Sequence, residues 1–213
     1  MEPDEEWLRT VWPIVAEQVP RSSRTVLDVG CGPLGGFVPM LRTRGHEARG
    51  VDPRAPSGDH YDRRNFQDLP YEPYDALVAC TSLHHVADLP AAVDALAERV
   101  TPSGVLVVIE WAWERFDERT ASWCFDRLPE QKTWLHGLRD GWAASGGSWD
   151  AHVRHWALQR GMHSGSEVEA ALGERFDLDE AGEGPYFFPD LPDVAAVAEE
   201  EAIASGHITA TAI

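Results

Sequence analysis

The sequence is short of positive charge. Its 213 residues carry 18 Lys plus Arg against 36 Asp plus Glu, a formal charge of −18 with histidine neutral, and Lys132 is the single lysine. So acidic a chain repels phosphate backbones and anionic lipid, which excludes nucleic acid and membrane surfaces as expected partners. Long apolar runs are missing as well, none approaching the ~20 residues that span a bilayer. The start, Met1-Glu2-Pro3-Asp4-Glu5-Glu6, lacks the basic residues and apolar stretch of an export signal, and this predicts a cytoplasmic protein. Cysteine is scarce. Cys31, Cys80 and Cys124 are odd in number, far apart and never in C-x-x-C spacing, so neither a disulfide framework nor a metal site is expected.

What is present is globular: 43% hydrophobic and 25% charged residues, at a length that suits one domain. Trp7, Leu8, Val11, Trp12 and Val15 recur at helical spacing, with Pro13 predicting a kink or a second helix start. Thr25 to Val29 is a β-branched, apolar run that ends in Gly30-Cys31-Gly32-Pro33-Leu34-Gly35-Gly36, a buried strand entering a glycine turn. A helix over Phe37 to Arg44, a strand over Glu47 to Val51, an edge strand near Arg64 to Gln67, a strand over Tyr74 to Ala79, a helix through Leu89 to Val100 and a strand over Val105 to Ile109 follow. Strands alternating with helices predict βαβ units and a parallel sheet. From Trp111 to about Gly161 the pattern turns polar and Trp-rich, read as an insertion over the sheet and not a second core. Strand signals return at Arg175 to Asp179 and His207 to Ile213, with an acidic helix, Pro192 to Ala204, between them.

Gly30-x-Gly32-x-x-Gly35 directly after a strand has the context of a nucleotide-binding turn, where the backbone approaches a ligand. Asp52, at the end of the second strand, can accept both hydroxyls of a ribose. Two cofactors use such a geometry. Asp28, two residues before the first glycine, is unwelcome beside the pyrophosphate of a dinucleotide and suits a ligand bearing an ammonium, such as S-adenosylmethionine.

In order, Val26-Leu27-Asp28-Val29-Gly30-Cys31-Gly32, Gly50-Val51-Asp52-Pro53, Gln67-Asp68-Leu69-Pro70, Tyr74 to Val86 with its Thr81-Ser82-Leu83-His84-His85, and Pro102 to Glu110 resemble class I S-adenosylmethionine-dependent methyltransferases, specifically the type 11 methyltransferase domain. The resemblance covers residues 22 to 110. It implies an α/β, Rossmann-like, doubly wound and mostly parallel seven-stranded sheet with an antiparallel last strand and a helical lid insertion. The expected layout is one domain: an N-terminal helical cap (1–21), a cofactor-binding core (22–110), a Trp-rich lid (111–165), and C-terminal strands and helix (166–213). By position, Asp28, Gly30, Cys31 and Gly32 would lie at the methionine part of S-adenosylmethionine, Asp52 and Pro53 at the ribose, Gln67, Asp68 and Leu69 at the adenine, and Thr81 to His85 along the rim next to the methyl group.

His84, His85 and Glu110 end up at the carboxyl edge of the sheet in this scheme and are the candidate catalytic bases. Seven of the nine tryptophans fall between residues 111 and 156, and Trp113, Trp142 and Trp149 are the candidate acceptor-binding residues of an apolar pocket; a Trp-packed satellite core or a dimer interface is the other reading. The expected function is methyl transfer to a small, apolar or aromatic molecule. An NAD(P)-dependent oxidoreductase and a non-catalytic cofactor-binding subunit are the alternatives.

Overall fold

The computed structural model describes residues 3–179, 182–191 and 196–213. The start of the expected acidic helix, residues 192–195, lies outside the described residues. Two compact units are distinguished: Met1–Glu110 with Ala171–Asp177, and Trp111–Ala170 with Leu178–Ile213.

In the first unit, helix α1 (Pro3–Gln18) runs through Pro13 as a single element and buries Val11 and Val15. Strands β1 (Thr25–Val29), β2 (Glu47–Val51), β3 (Tyr61–Asp62), β4 (Tyr74–Cys80) and β5 (Val100–Ile109) form one parallel sheet in the order β3-β2-β1-β4-β5. Helices α2 (Val38–Thr43) and α3 (Leu89–Arg99) connect them. Buried side chains on nearly every position of β1 and β4, apolar except at Thr25, Asp28 and Asp75, match their central place, since a parallel strand is covered on both faces. Val11, Val15 and Val19 join Val26, Phe37, Leu41, Val78 and Ile109 in the core.

The chain leaves β1 toward β2 on one side and later returns to β4 on the other. Asp28 is in register with Val78 and Val29 with Ala79, so the loops after β1 and β4 emerge side by side. That reversal is where an open α/β sheet leaves a crevice for a ligand.

Three sequence expectations change here. The edge strand is Tyr61–Asp62, while Phe66–Asp68 is a short 3-10 turn. β5 begins at Val100, earlier than expected: Tyr74 pairs Val100 and Ala76 pairs Val105, so Thr101 to Gly104 bulge out, as suits a stretch whose Pro102 has no N–H to donate. Arg175 to Asp179 is not a strand; Arg175 lies in the turn after α7 (Gly165–Gly173) and its Nε donates to Asp94 at 2.6 Å.

The second unit has a core of its own, which corrects the reading of 111–161 as an insertion without one. Helices α4 (Glu118–Phe125), α5 (Trp134–Ser145) and α6 (Trp149–Gln159) surround Trp111, Phe116, Trp149 and Phe187. Trp111 stacks on Tyr186 at 5.2 Å between centroids and meets Trp134 and Trp156 edge-on. Indoles fill the space that Leu and Val occupy elsewhere, so weak helical periodicity concealed a packed interior. Helix α8 (Ala196–Ala204) supplies the buried Glu199, which accepts the backbone N–H groups of Tyr186, Phe187 and Phe188 and whose carboxyl is raised by burial.

Among the described residues the sheet has five strands, not the expected seven. The chain end pairs antiparallel one residue wide, Ala212 with Trp111 and with Gly184. Side chains divert the rest: Thr209 donates its N–H to Thr120 Oγ1 at 2.9 Å and its hydroxyl to Asp117 at 2.9 Å, leaving no ladder to extend.

Candidate active site

A cavity of about 860 Å³ opens at the carboxyl edge of the sheet, within the first unit. Its walls are the glycine turn, the ends of β2 and β4, the 65–68 segment, and Asp4, Trp7 and Leu8 of α1.

The glycine turn is wedged in place by its neighbours. Gly30 N and Cys31 N both donate to Val51 O, and Ser82 Oγ donates to Val29 O at 3.2 Å. Gly30 has φ +80°, and a Cβ there would come within 2.5 Å of Ser82 Cβ, so only glycine lets the two loops meet. At Gly36, with φ +56°, a Cβ would collide with the Asp28 carboxylate. Gly36 therefore makes room for Asp28, whose Oδ2 accepts Phe37 N–H at 2.6 Å just ahead of α2, while Gly35 makes room for the Tyr61 ring.

Asp28 is 1% exposed. Burial lifts its carboxyl to about 7; the Phe37 N–H opposes this, and the charge of Asp52 adds to it. Asp52 Oδ1 accepts the Arg54 N–H at 2.6 Å, with Arg54 Nε at 3.8 Å. Cys31 and Cys80 also line the cavity, and burial, reinforced by nearby carboxylates, raises both thiols well above the usual range. Trp7 Nε1 donates to Cys80 Sγ at 3.3 Å.

Thr81 stands at φ +48°, alone among the described non-glycine residues in the left-handed region, where a β-branched side chain is strained. Its N–H donates to Ile109 O at 2.7 Å. Directly after it, the Glu110 carboxylate gathers the loop: Oε1 accepts Ser82 N at 2.8 Å and Leu83 N at 2.6 Å, while Oε2 is bonded to His84 Nδ1. Glu110 and His84 are both buried, and neither lines the cavity. His85 does, with its ring 4.0 Å from that of His84. Burial lowers the His85 pKa, and the neighbouring His84 lowers it further, so the imidazole is neutral at pH 7.

A family model described as a methyltransferase domain matches residues 5–163, more than half of the chain. The chain belongs to the methyltransferase domain family. No curated protein matches it significantly in sequence. Among solved structures, a protein of Anabaena variabilis described as a methyltransferase from an antibiotic biosynthesis pathway shares the fold, with 19% identity, a TM-score of 0.50, and coverage of 79% of this chain and 60% of that one. An S-adenosylmethionine-dependent methyltransferase from Mesorhizobium loti gives 22% identity, a TM-score of 0.43, and coverage of 51% and 56%. The chain spans less than two thirds of either of these proteins.

In this methyltransferase-domain chain the cavity brings together Asp28, Gly30, Cys31, Gly32, Asp52, Pro53, Gln67, Asp68, Thr81 and His85. Leu69 does not join them; its carbonyl turns to Arg99. Trp113 and Trp149 are buried in the aromatic core of the second unit, where their indoles donate to His163 O and Phe116 O. Trp142 is half-buried and donates to Gly147 O at 3.1 Å. Trp7, Leu8 and Phe66 were not singled out by sequence as site residues. Trp7 and Leu8 carried a signal, because an amphipathic first helix must lay its apolar stripe on something; the strained Thr81 backbone carried none.

Proposed function

We propose that the chain transfers a methyl group from S-adenosylmethionine to a small apolar or aromatic acceptor. One observation carries this reading: a buried acid, Asp28, lines the cavity at the switch point of the sheet in a chain of the methyltransferase domain family. Asp4, Asp28, Asp52 and Asp68 outnumber Arg54 and Arg64 in the cavity wall, and this acidic balance fits a ligand with an ammonium and a sulfonium better than a pyrophosphate. Helix α2 is only six residues long and starts at Val38, past the turn, so it offers little dipole to a phosphate. These points stand against the nicotinamide alternative.

When bound, S-adenosylmethionine supplies an electrophilic methyl on its sulfonium. Asp28 would hold the ammonium, Asp52 the ribose hydroxyls, and Phe66, Gln67 and Asp68 the base. Thr81 and His85 would border the reacting end. His85, neutral and facing the cavity, accepts a proton from the acceptor, whereas Glu110 and His84 hold its loop. Trp7, Leu8 and Phe37 give the same cavity apolar surface for the acceptor.

Titration calorimetry with S-adenosylhomocysteine and NAD, followed by a turnover screen over small aromatic acceptors, tests the reading. Binding of the former alone, with a turned-over acceptor, supports it. Binding of NAD alone overturns it, and binding without any turnover leaves the cofactor-binding subunit as the better description.

A further inference from the structure

Arg99, the last residue of α3, is 6% exposed, a rare condition for a side chain that is always charged. Its guanidinium is received by carbonyls: Nη1 donates to Ala95 O at 3.0 Å, in its own helix, and Nη2 to Leu69 O at 3.0 Å. Nε meets no acceptor among the described residues. The carbon at the centre of the guanidinium stands 5.8 Å from the centroid of the Phe66 ring.

Burying a cation on carbonyls alone is costly, and an apolar side chain of similar volume would pack α3 at least as well. What the arginine does that an apolar residue cannot is grip both ends of one short segment, the Phe66 ring and the Leu69 carbonyl. That segment needs gripping. It follows a two-residue edge strand, its turn is closed by Asp68 N to Asn65 O at 3.0 Å and Leu69 N to Phe66 O at 3.1 Å, and Asn65 provides no side-chain cap. Yet Asn65, Phe66, Gln67 and Asp68 all line the cavity, on the side where β2 ends in Asp52. A flat apolar ring beside an amide and a carboxylate is a surface for a planar heteroaromatic ring with N–H edges.

We propose that Arg99 is a positioning residue, holding the 65–69 turn as the wall against which the base of a nucleoside ligand lies. This rests on the reading of the cavity given under Proposed function. Arg99 touches no ligand itself; it acts through Phe66 and Leu69.

Two probes divide the cavity: S-adenosylhomocysteine, and 5′-methylthioadenosine, which keeps the nucleoside and lacks the ammonium and carboxylate. Arg99→Met should weaken both by the same factor, about 10-fold or more by titration calorimetry. Arg99→Lys keeps the charge but loses the fork that spans the two ends; it should do likewise, and it carries the test should the Met variant not fold. Asp28→Asn, by contrast, should weaken only S-adenosylhomocysteine. Unchanged affinity for both probes, with only a lower melting temperature, overturns the positioning role, and so does a loss confined to S-adenosylhomocysteine. Wild-type protein that binds neither probe overturns the functional reading itself and this inference with it.

Discussion

The Asp28 carboxylate accepts the Phe37 backbone N–H at 2.6 Å, so one buried acid both anchors the glycine turn and lines the cavity. Its raised carboxyl, near 7, sets the pH behaviour. In the unfolded chain the group ionises near 3.8, so between those values the folded state binds the extra proton and stability falls as pH rises. Asp28→Asn keeps an oxygen for Phe37 and removes the buried charge. It should raise the melting temperature at pH 8 by several degrees, as differential scanning calorimetry would register, while weakening an ammonium-bearing ligand.

Ligand affinity should follow the same group with opposite sign. An ammonium needs Asp28 ionised, so wild-type affinity for S-adenosylhomocysteine should fall by up to ~10-fold per pH unit below about pH 7. Calorimetry across pH 5 to 8 measures the slope. In Asp28→Asn it should flatten; an identical slope in the variant removes Asp28 from the ligand's contacts.

Asp52→Ala should cost about 100-fold in affinity for S-adenosylhomocysteine, two charge-assisted hydrogen bonds at ~1.5 kcal/mol each, with the fold intact by circular dichroism. The loss should be the same with 5′-methylthioadenosine, since both carry the ribose.

His85 and His84 should separate cleanly. His85→Ala should cut turnover by ~10²-fold with cofactor affinity nearly unchanged, and the wild-type rate should hold at neutral pH and drop only below the ordinary histidine range, because burial lowers the His85 pKa. His84→Ala removes the hydrogen bond to buried Glu110, so its main effect should be a stability loss of ~1.5 to 3 kcal/mol in urea. Equal turnover in His85→Ala and wild type would leave alignment of the reactants as the source of rate.

Trp149→Ala should destabilise by ~3 to 5 kcal/mol, with cofactor affinity within about 2-fold of wild type. The ring is fully buried between Phe116, Phe125 and Trp142. Trp142→Ala removes a half-buried ring packed on Phe125 and Trp149, and should destabilise by less than Trp149→Ala with cofactor affinity unchanged.

Local patterns made the first unit legible. Strand β1, the glycine turn and Asp52 follow from β-branched runs and glycine spacing, and the cavity gathers the residues those motifs nominate. Glu110 was legible as a residue at the carboxyl edge of the sheet but not in its contacts: its three partners lie 26 to 28 residues away and meet it only once β4 and β5 pair. The Leu69 carbonyl was illegible for the same reason, its direction being set by Arg99 from another helix. In the second unit the tryptophans were visible and their partners were not. An indole on a polar helix reads equally as pocket wall or as core, and only packing decides.

Cys31 and Cys80 acquire a meaning from their place in the cavity wall. A thiolate is among the best nucleophiles a protein owns, and one beside a sulfonium would alkylate itself in place of the acceptor. Burial and the neighbouring carboxylates keep both sulfurs protonated, so the same acidic lining that would welcome a cationic donor also silences the competitors built into its own walls.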